Sequence, residues 1–124
     1  VLCIDNEPEI LLGMQSLMSR WGVRVVTATD AGEARAAAAR EQPGVVLADY
    51  RLADRDPEGL DLLAELCRAG GAATPGALVT ADHSPALAER ARELGFPLLR
   101  KPVKPGALRA LLGALAAQRN GAGH

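Results

Sequence analysis

Short apolar runs alternate along this chain with stretches whose apolar residues recur at helical spacing. Residues 1–5 (VLCID), 23–28 (VRVVTA), 44–49 (GVVLAD), 76–81 (GALVTA) and 98–99 (LL) predict five strands, apolar almost throughout and bounded by Gly, Pro or charge. Helices are predicted between them. Over 8–20, Ile10, Met14, Leu17 and Trp21 share one face with Leu11 and Met18 beside them. Pro8 suits the first turn, where a missing N–H costs nothing, and Gly22 ends the helix. Asp30 and Glu33 form a capping-box variant ahead of EARAAAAR, a helix with a small-residue inner face broken by Pro43-Gly44. After a polar loop, 50–57, Leu60, Leu63, Ala64 and Cys67 define a third helix that Gly70-Gly71 closes. Ser84-Pro85 caps a fourth, with Leu87, Ala91 and Leu94 on its face. Pro105 opens the last, with Leu108, Leu111, Leu112 and Leu115 in register. Residues 1–119 form one domain on this reading, and 120–124 a frayed polar tail.

Five βα units with near-continuously apolar strands predict an α/β fold, a parallel sheet covered on both faces. Such sheets bind ligands at the carboxyl ends of their strands. The first strand ends in Asp5-Asn6-Glu7, the third in Asp49, the fourth in Thr80, and the fifth at Lys101. A parallel sheet gathers these ends along one edge, where acids repel unless a cation intervenes. Mg²⁺ suits such a site, since it takes oxygen ligands from few carboxylates and keeps waters that a phosphate can replace. A carboxylate there can act as a nucleophile toward phosphorus. Lys101 would neutralise phosphoryl oxygens and the Thr80 hydroxyl would donate to one of them. Taken singly, each residue also has a bland reading: a helix cap for Asp49, a strand hydroxyl for Thr80, a solvated lysine for Lys101. Their combination at four strand ends is far more specific.

Charge and composition narrow the partners. Fourteen Lys+Arg against fifteen Asp+Glu leave a formal net charge of −1, without the basic excess that marks a nucleic-acid surface. Three aromatics, Trp21, Tyr50 and Phe96, are too few for a base-stacking platform. No apolar run approaches the ~20 residues of a membrane span. Nucleic acid and membrane are therefore not expected partners of this domain. Cys3 and Cys67 lie in apolar stretches without CxxC spacing, as reduced buried thiols in a cytoplasmic protein would. The chain opens at Val1, already in a strand, as an excised domain would.

VLCIDNEPEI, VVLADYRL, ALVTAD and LLRKPVKP together resemble the receiver domain of two-component signalling, the phosphoacceptor module of response regulators, over essentially the whole chain. The resemblance implies a doubly wound, flavodoxin-like sheet of order 2-1-3-4-5. It also implies that Asp49 is the phosphorylated aspartate, Asp5 and Asn6 the metal-site pair, Thr80 the switch hydroxyl and Lys101 the family's lysine. The backbone carbonyl of Arg51 would be the metal's main-chain ligand. Mg²⁺ is the implied cofactor, and a histidine kinase or histidine phosphotransfer domain the implied donor, with dimerisation left open. PLLRKPVKPGALRALL is similar to receivers at the C-terminus of hybrid sensor histidine kinases, so such a parent is expected, anchored in a membrane upstream or not. The alternatives are a stand-alone or DNA-binding response regulator and a degenerate receiver serving as a protein-binding scaffold. Whether the parent is an enzyme stays open at this point.

Three positions depart from the family pattern. Asn6 replaces the second acid, and the lost charge predicts weaker metal binding. Leu98 stands where the switch aromatic lies, and Phe96 is two residues too early to substitute. The missing ring fits a receiver that relays or stores phosphoryl groups better than one that rearranges an output surface. Arg51 and Asp82 lie two residues beyond Asp49 and Thr80, where an opposite-charge pair could hinder attacking water, the bland reading being two solvated loop charges. An aspartate-nucleophile phosphatase would want an acid where Arg51 stands. A nucleotide or flavin module would want a Gly-rich cradle where the chain has Asp5-Asn6-Glu7-Pro8. His83 and His124 read as solvated side chains and not as phosphotransfer groups.

Overall fold

The computed structural model describes residues 1–50, 59–69, 74–82 and 84–122. Strands and helices alternate throughout: β1 (Leu2–Ile4), α1 (Pro8–Arg20), β2 (Val26–Ala28), α2 (Ala31–Glu41), β3 (Val46–Asp49), α3 (Gly59–Ala69), β4 (Gly76–Thr80), α4 (Pro85–Glu93), β5 (Leu98–Arg100) and α5 (Pro105–Ala122). All pairings are parallel and the order is β2-β1-β3-β4-β5, as expected.

Side-chain alternation along each strand sorts the core into two layers. Leu2, Ile4, Val46, Ala48 and Leu78 face one way and bury against α2, α3 and α4 through Ala34, Leu63 and Leu87. Cys3, Leu47, Val79 and Leu99 face the other way, toward Met14 and Met18 of α1 and Leu108 of α5. Burial pushes the Cys3 thiol up to about 12 and the Cys67 thiol up to about 11, so both stay protonated near neutrality.

Several boundaries move, for physical reasons. β2 forms only over Val26–Ala28, not from residue 23, because β1 offers just Leu2, Cys3 and Ile4 as partners. The inner stripe of α1 is Leu11, Met14 and Met18, with Ile10, Leu17 and Trp21 flanking it half-buried. α2 stops at Glu41, ahead of Pro43-Gly44, and its left-handed cap is Gln42 at φ 47°. Leu94 leaves the α4 face: it is the C-cap, and Gly95 at φ 82° turns the chain there, leaving Leu94 50% exposed. α5 continues to Ala122, so the tail expected from residue 120 is helical for three of its five positions. Nothing in AAQR stops a helix.

Caps fix the helix starts. Glu33 N–H donates to Asp30 Oδ1 at 2.8 Å, while Glu33 Oε1 reaches back one residue further than a capping box, to Thr29 N–H and Oγ1. Gly76 lets α3 lie directly on β4, since a Cβ there would come within 2.7 Å of both Cys67 Sγ and Leu63 Cδ1. Gly76→Ala is therefore expected to cost about 1–3 kcal/mol by overpacking. Combined with Cys67→Ala it should cost less than the sum of the two single changes, measured by urea denaturation. Strict additivity would contradict this contact.

Candidate functional site

Among the described residues, the buried polar side chains are Asp5, Asp49 and Thr80, each at the carboxyl end of a strand. Register explains their meeting. Asp5, Asp49 and Lys101 lie two residues beyond Cys3, Leu47 and Leu99, so all three continue the layer that faces α1 and α5. Thr80 follows Leu78 and continues the opposite layer.

Lys101 joins the acids. Its Nζ donates to Asp5 Oδ2 at 3.1 Å and lies 3.3 Å from Asp49 Oδ1, with the lysine side chain 16% exposed and the carboxylates 3% and 7%. Burial alone would lower the pKa of this ammonium. The Asp5 hydrogen bond, with the charges of Asp49 and Asp5, outweighs burial and holds it above the ordinary 10.5. While the carboxylates are ionised, the pairing therefore contributes fully up to 10.5 and is lost as pH rises through the higher folded value.

Backbone groups complete the pocket. Glu7, the N-cap of α1, donates its N–H to Asp5 Oδ1 at 2.9 Å, so both Asp5 oxygens are engaged. Tyr50 N–H bonds Val79 O at 3.0 Å and Lys101 N–H bonds Thr80 O at 2.9 Å, which ties the ends of β3, β4 and β5 together. The Lys101-Pro102 peptide is cis. Thr80 Oγ1 accepts the Asp82 N–H at 2.9 Å, Asp82 Oδ1 accepts the Ser84 N–H at 2.7 Å, and Ser84 Oγ accepts the Leu87 N–H at 3.3 Å. Each buried side-chain nitrogen or oxygen among the described residues has a hydrogen-bond partner.

The structure thus brings Asp5, Asp49 and Lys101 into contact and seats Thr80 on the strand between them. Asn6 is exposed beside Asp5, and Leu98 is half-buried with Phe96 against the α3–α4 layer. Arg51, His83 and His124 lie outside the described residues. Two features escaped the sequence reading. One is the hydrogen-bond chain from Thr80 to α4. The other is Gly59, where a Cβ would fall 1.8 Å from the Asp49 carbonyl oxygen. Its signal was a glycine in the first turn of a helix, a costly choice unless something packs against it. A groove of about 400 Å³, lined by Ala88, Arg92, Gly95, Phe96, Pro97 and Leu98, lies beside β5 and away from the acids.

The donor set suits a hard divalent cation. Two buried carboxylates with a single ammonium between them leave a local charge of −1, and the exposed Asn6 follows Asp5 in the chain. No three His, Cys, Asp or Glu side chains converge among the described residues. Mg²⁺ needs no such group, since one or two carboxylates and its own waters suffice. No described helix is long and apolar enough to cross a membrane.

A doubly wound sheet with buried acids and a lysine at its carboxyl edge is the receiver architecture. Residues 1–113 match the response regulator receiver domain, and the chain belongs to that family. The response regulator protein PilR of Pseudomonas aeruginosa is 35% identical over 120 residues, 96% of this chain and 26% of PilR. The probable transcriptional regulatory protein TcrX of Mycobacterium tuberculosis is 42% identical over 85 residues, 68% of this chain and 35% of TcrX. The chain spans between a quarter and about a third of these curated relatives (26% and 35%). The receiver domain of NtrX from Brucella abortus superposes with a TM-score of 0.81 at 27% identity, covering 92% of this chain and 95% of that one. A receiver domain protein from Clostridium thermocellum reaches 0.84 at 24% identity, covering 96% and 94%, and speaks to the fold alone.

Removing Lys101 leaves two buried carboxylates facing each other. Lys101→Met is expected to lower stability by about 2–3 kcal/mol at neutral pH, short of a fully buried pair because the ammonium is partly exposed. The deficit should shrink in acid as the carboxylates take up protons. A deficit independent of pH in denaturation curves would contradict this reading.

Proposed function

We propose that this receiver domain takes a phosphoryl group from the phosphohistidine of a histidine kinase or histidine phosphotransfer domain onto Asp49. The observation that carries the reading is the Lys101 ammonium, 3.3 Å from Asp49 Oδ1 and hydrogen-bonded to Asp5. An Asp49 carboxylate oxygen attacks phosphorus as the P–N bond of phosphohistidine breaks. The imidazole leaves with the electron pair and is protonated, and water later hydrolyses the acyl phosphate. Lys101 moves with the charge, from carboxylate to phosphoryl oxygen, and the Thr80 hydroxyl donates to a second oxygen. Asp5, Asn6, Asp49 and the Arg51 carbonyl would hold Mg²⁺. When bound, the ion neutralises charge that builds up on the transferring group.

The names of the relatives support a response-regulator parent over the hybrid kinase expected from PLLRKPVKPGALRALL. PilR is named a response regulator, and DctD of Pseudomonas aeruginosa and TcrX are named transcriptional regulatory proteins. We place the domain in the cytoplasm, where such donors act.

Incubation with phosphoramidate and Mg²⁺ should add one phosphoryl unit to the intact mass of the wild type and none to Asp49→Asn. Equal labelling of both would overturn the assignment. Asn6→Asp restores a negative charge at the cation site and should tighten Mg²⁺ about tenfold by calorimetry, the effect of roughly 1.4 kcal/mol. Equal affinities would show that Asn6 costs the site nothing.

A further inference from the structure

We infer that Gly59, the first residue of α3, is a positioning residue for phosphoryl transfer, holding the Asp49 main chain so that its carboxylate stays on Lys101. The inference rests on the reading of Asp49 as phosphoacceptor and extends it to the helix that abuts it. Gly59 is buried. A Cβ built on it would fall 1.8 Å from the Asp49 carbonyl oxygen and 2.7 Å from both the Asp49 carbonyl carbon and Tyr50 Cα. Its N–H donates to Tyr50 O at 2.9 Å. The glycines with positive φ among the described residues are Gly22 and Gly95, so backbone conformation does not call for glycine at 59. Close approach does, and it outweighs the penalty that glycine carries in a helix.

The peptide after Asp49 is thus held from two sides. Tyr50 N–H pairs with Val79 O of β4 at 3.0 Å, while Gly59 closes on Tyr50 O and on the Asp49 carbonyl. Packing keeps α3 from backing away. Leu60, Leu62 and Leu63 are buried in the core layer, and Glu65 accepts two hydrogen bonds from Arg35 of α2, at 2.7 and 3.2 Å. The carboxyl carbon of Asp49 is separated from Cα by Cβ alone, so a shift of the main chain carries Oδ1 away from Lys101 Nζ, 3.3 Å distant. Any side chain at 59 needs a displacement of about 1.2 Å before its Cβ clears 3.0 Å, the nearest approach that real Cβ atoms make. A misplacement of about 1 Å at a reacting group costs on the order of a hundredfold in rate.

Gly76→Ala is the control, since it crowds the same helix at the amino end of β4, away from the acids. Phosphoramidate-driven phosphorylation with Mg²⁺ is followed by intact mass, each rate being divided by the folded fraction from circular dichroism. Gly59→Ala should slow it about tenfold to a hundredfold, and Gly76→Ala should stay within about twofold of the wild type. Equal slowing in both, or none in Gly59→Ala, would show that α3 absorbs the crowding and would overturn the inference while leaving Asp49 as phosphoacceptor. If Gly59→Ala does not fold, two milder variants take its place. Leu60→Val and Leu63→Val each remove one methylene from the buried face of α3, the first beside Gly59 and the second a turn further on. Leu60→Val should slow transfer about threefold, a partial loss of the same positioning, and Leu63→Val should not. Slowing in Leu63→Val as large as in Leu60→Val, or none in Leu60→Val, would overturn the inference too. Failure of the wild type to take up any phosphoryl group would instead remove the reading beneath it. Amide exchange reads the contact without phosphorylation. Gly59 N–H should be protected in the wild type to the same degree as Tyr50 N–H, and exchange at the rate of an open loop would contradict the clamp.

Discussion

The ammonium of Lys101 between Asp5 and Asp49 is the interaction on which the carboxyl edge of this sheet depends. Two carboxylates almost removed from water are costly unless a countercharge sits between them. β5 is the edge strand, two places from β3 and three from β1. At about 4.8 Å between strands, the span from β5 to β1 is on the order of 14 Å. A long side chain placed one residue past its strand can close that gap with the two acids reaching toward it. On the proposed reading the same cluster also serves the chemistry, since a cation lies where a phosphoryl group on Asp49 would place new negative charge.

The rest of the fold can be read as support for that contact. Parallel register sets Asp49 opposite Val79, and the bond from Tyr50 N–H to Val79 O extends the ladder beyond the acid. Gly59 lets α3 begin against the Asp49 carbonyl, where any side chain would collide. The Glu7 N–H satisfies the second oxygen of Asp5. On the opposite layer the Thr80 hydroxyl is linked to α4 by hydrogen bonds that run through Asp82 and Ser84. The near-neutral charge of the chain therefore conceals an acidic strand-end site within a mixed exterior.

Sequence made the parallel sheet readable because each strand changes abruptly from apolar to charged or hydroxylic at the point where it leaves the core, while its order followed from the resemblance to receiver domains. Asp5, Asp49, Thr80 and Lys101 were legible for that reason. Strand lengths were not, since β2 is cut short by a three-residue partner that its own Val-rich sequence cannot reveal. The rotation of α1 toward Leu11 and Met18 depends on how α1 lies on the sheet, which periodicity leaves free by about one residue. Ser84 was readable as a cap, but its link to Thr80 runs through backbone N–H groups whose directions only the folded loop defines.

The account is tested most directly by locating the acyl phosphate. Borohydride reduction after phosphorylation converts an aspartyl phosphate to homoserine, and peptide mass spectrometry then reads its position. Homoserine at position 49 and nowhere else is the predicted result. Homoserine at Asp5, at another acid, or at none after uptake of phosphate would contradict the central claim.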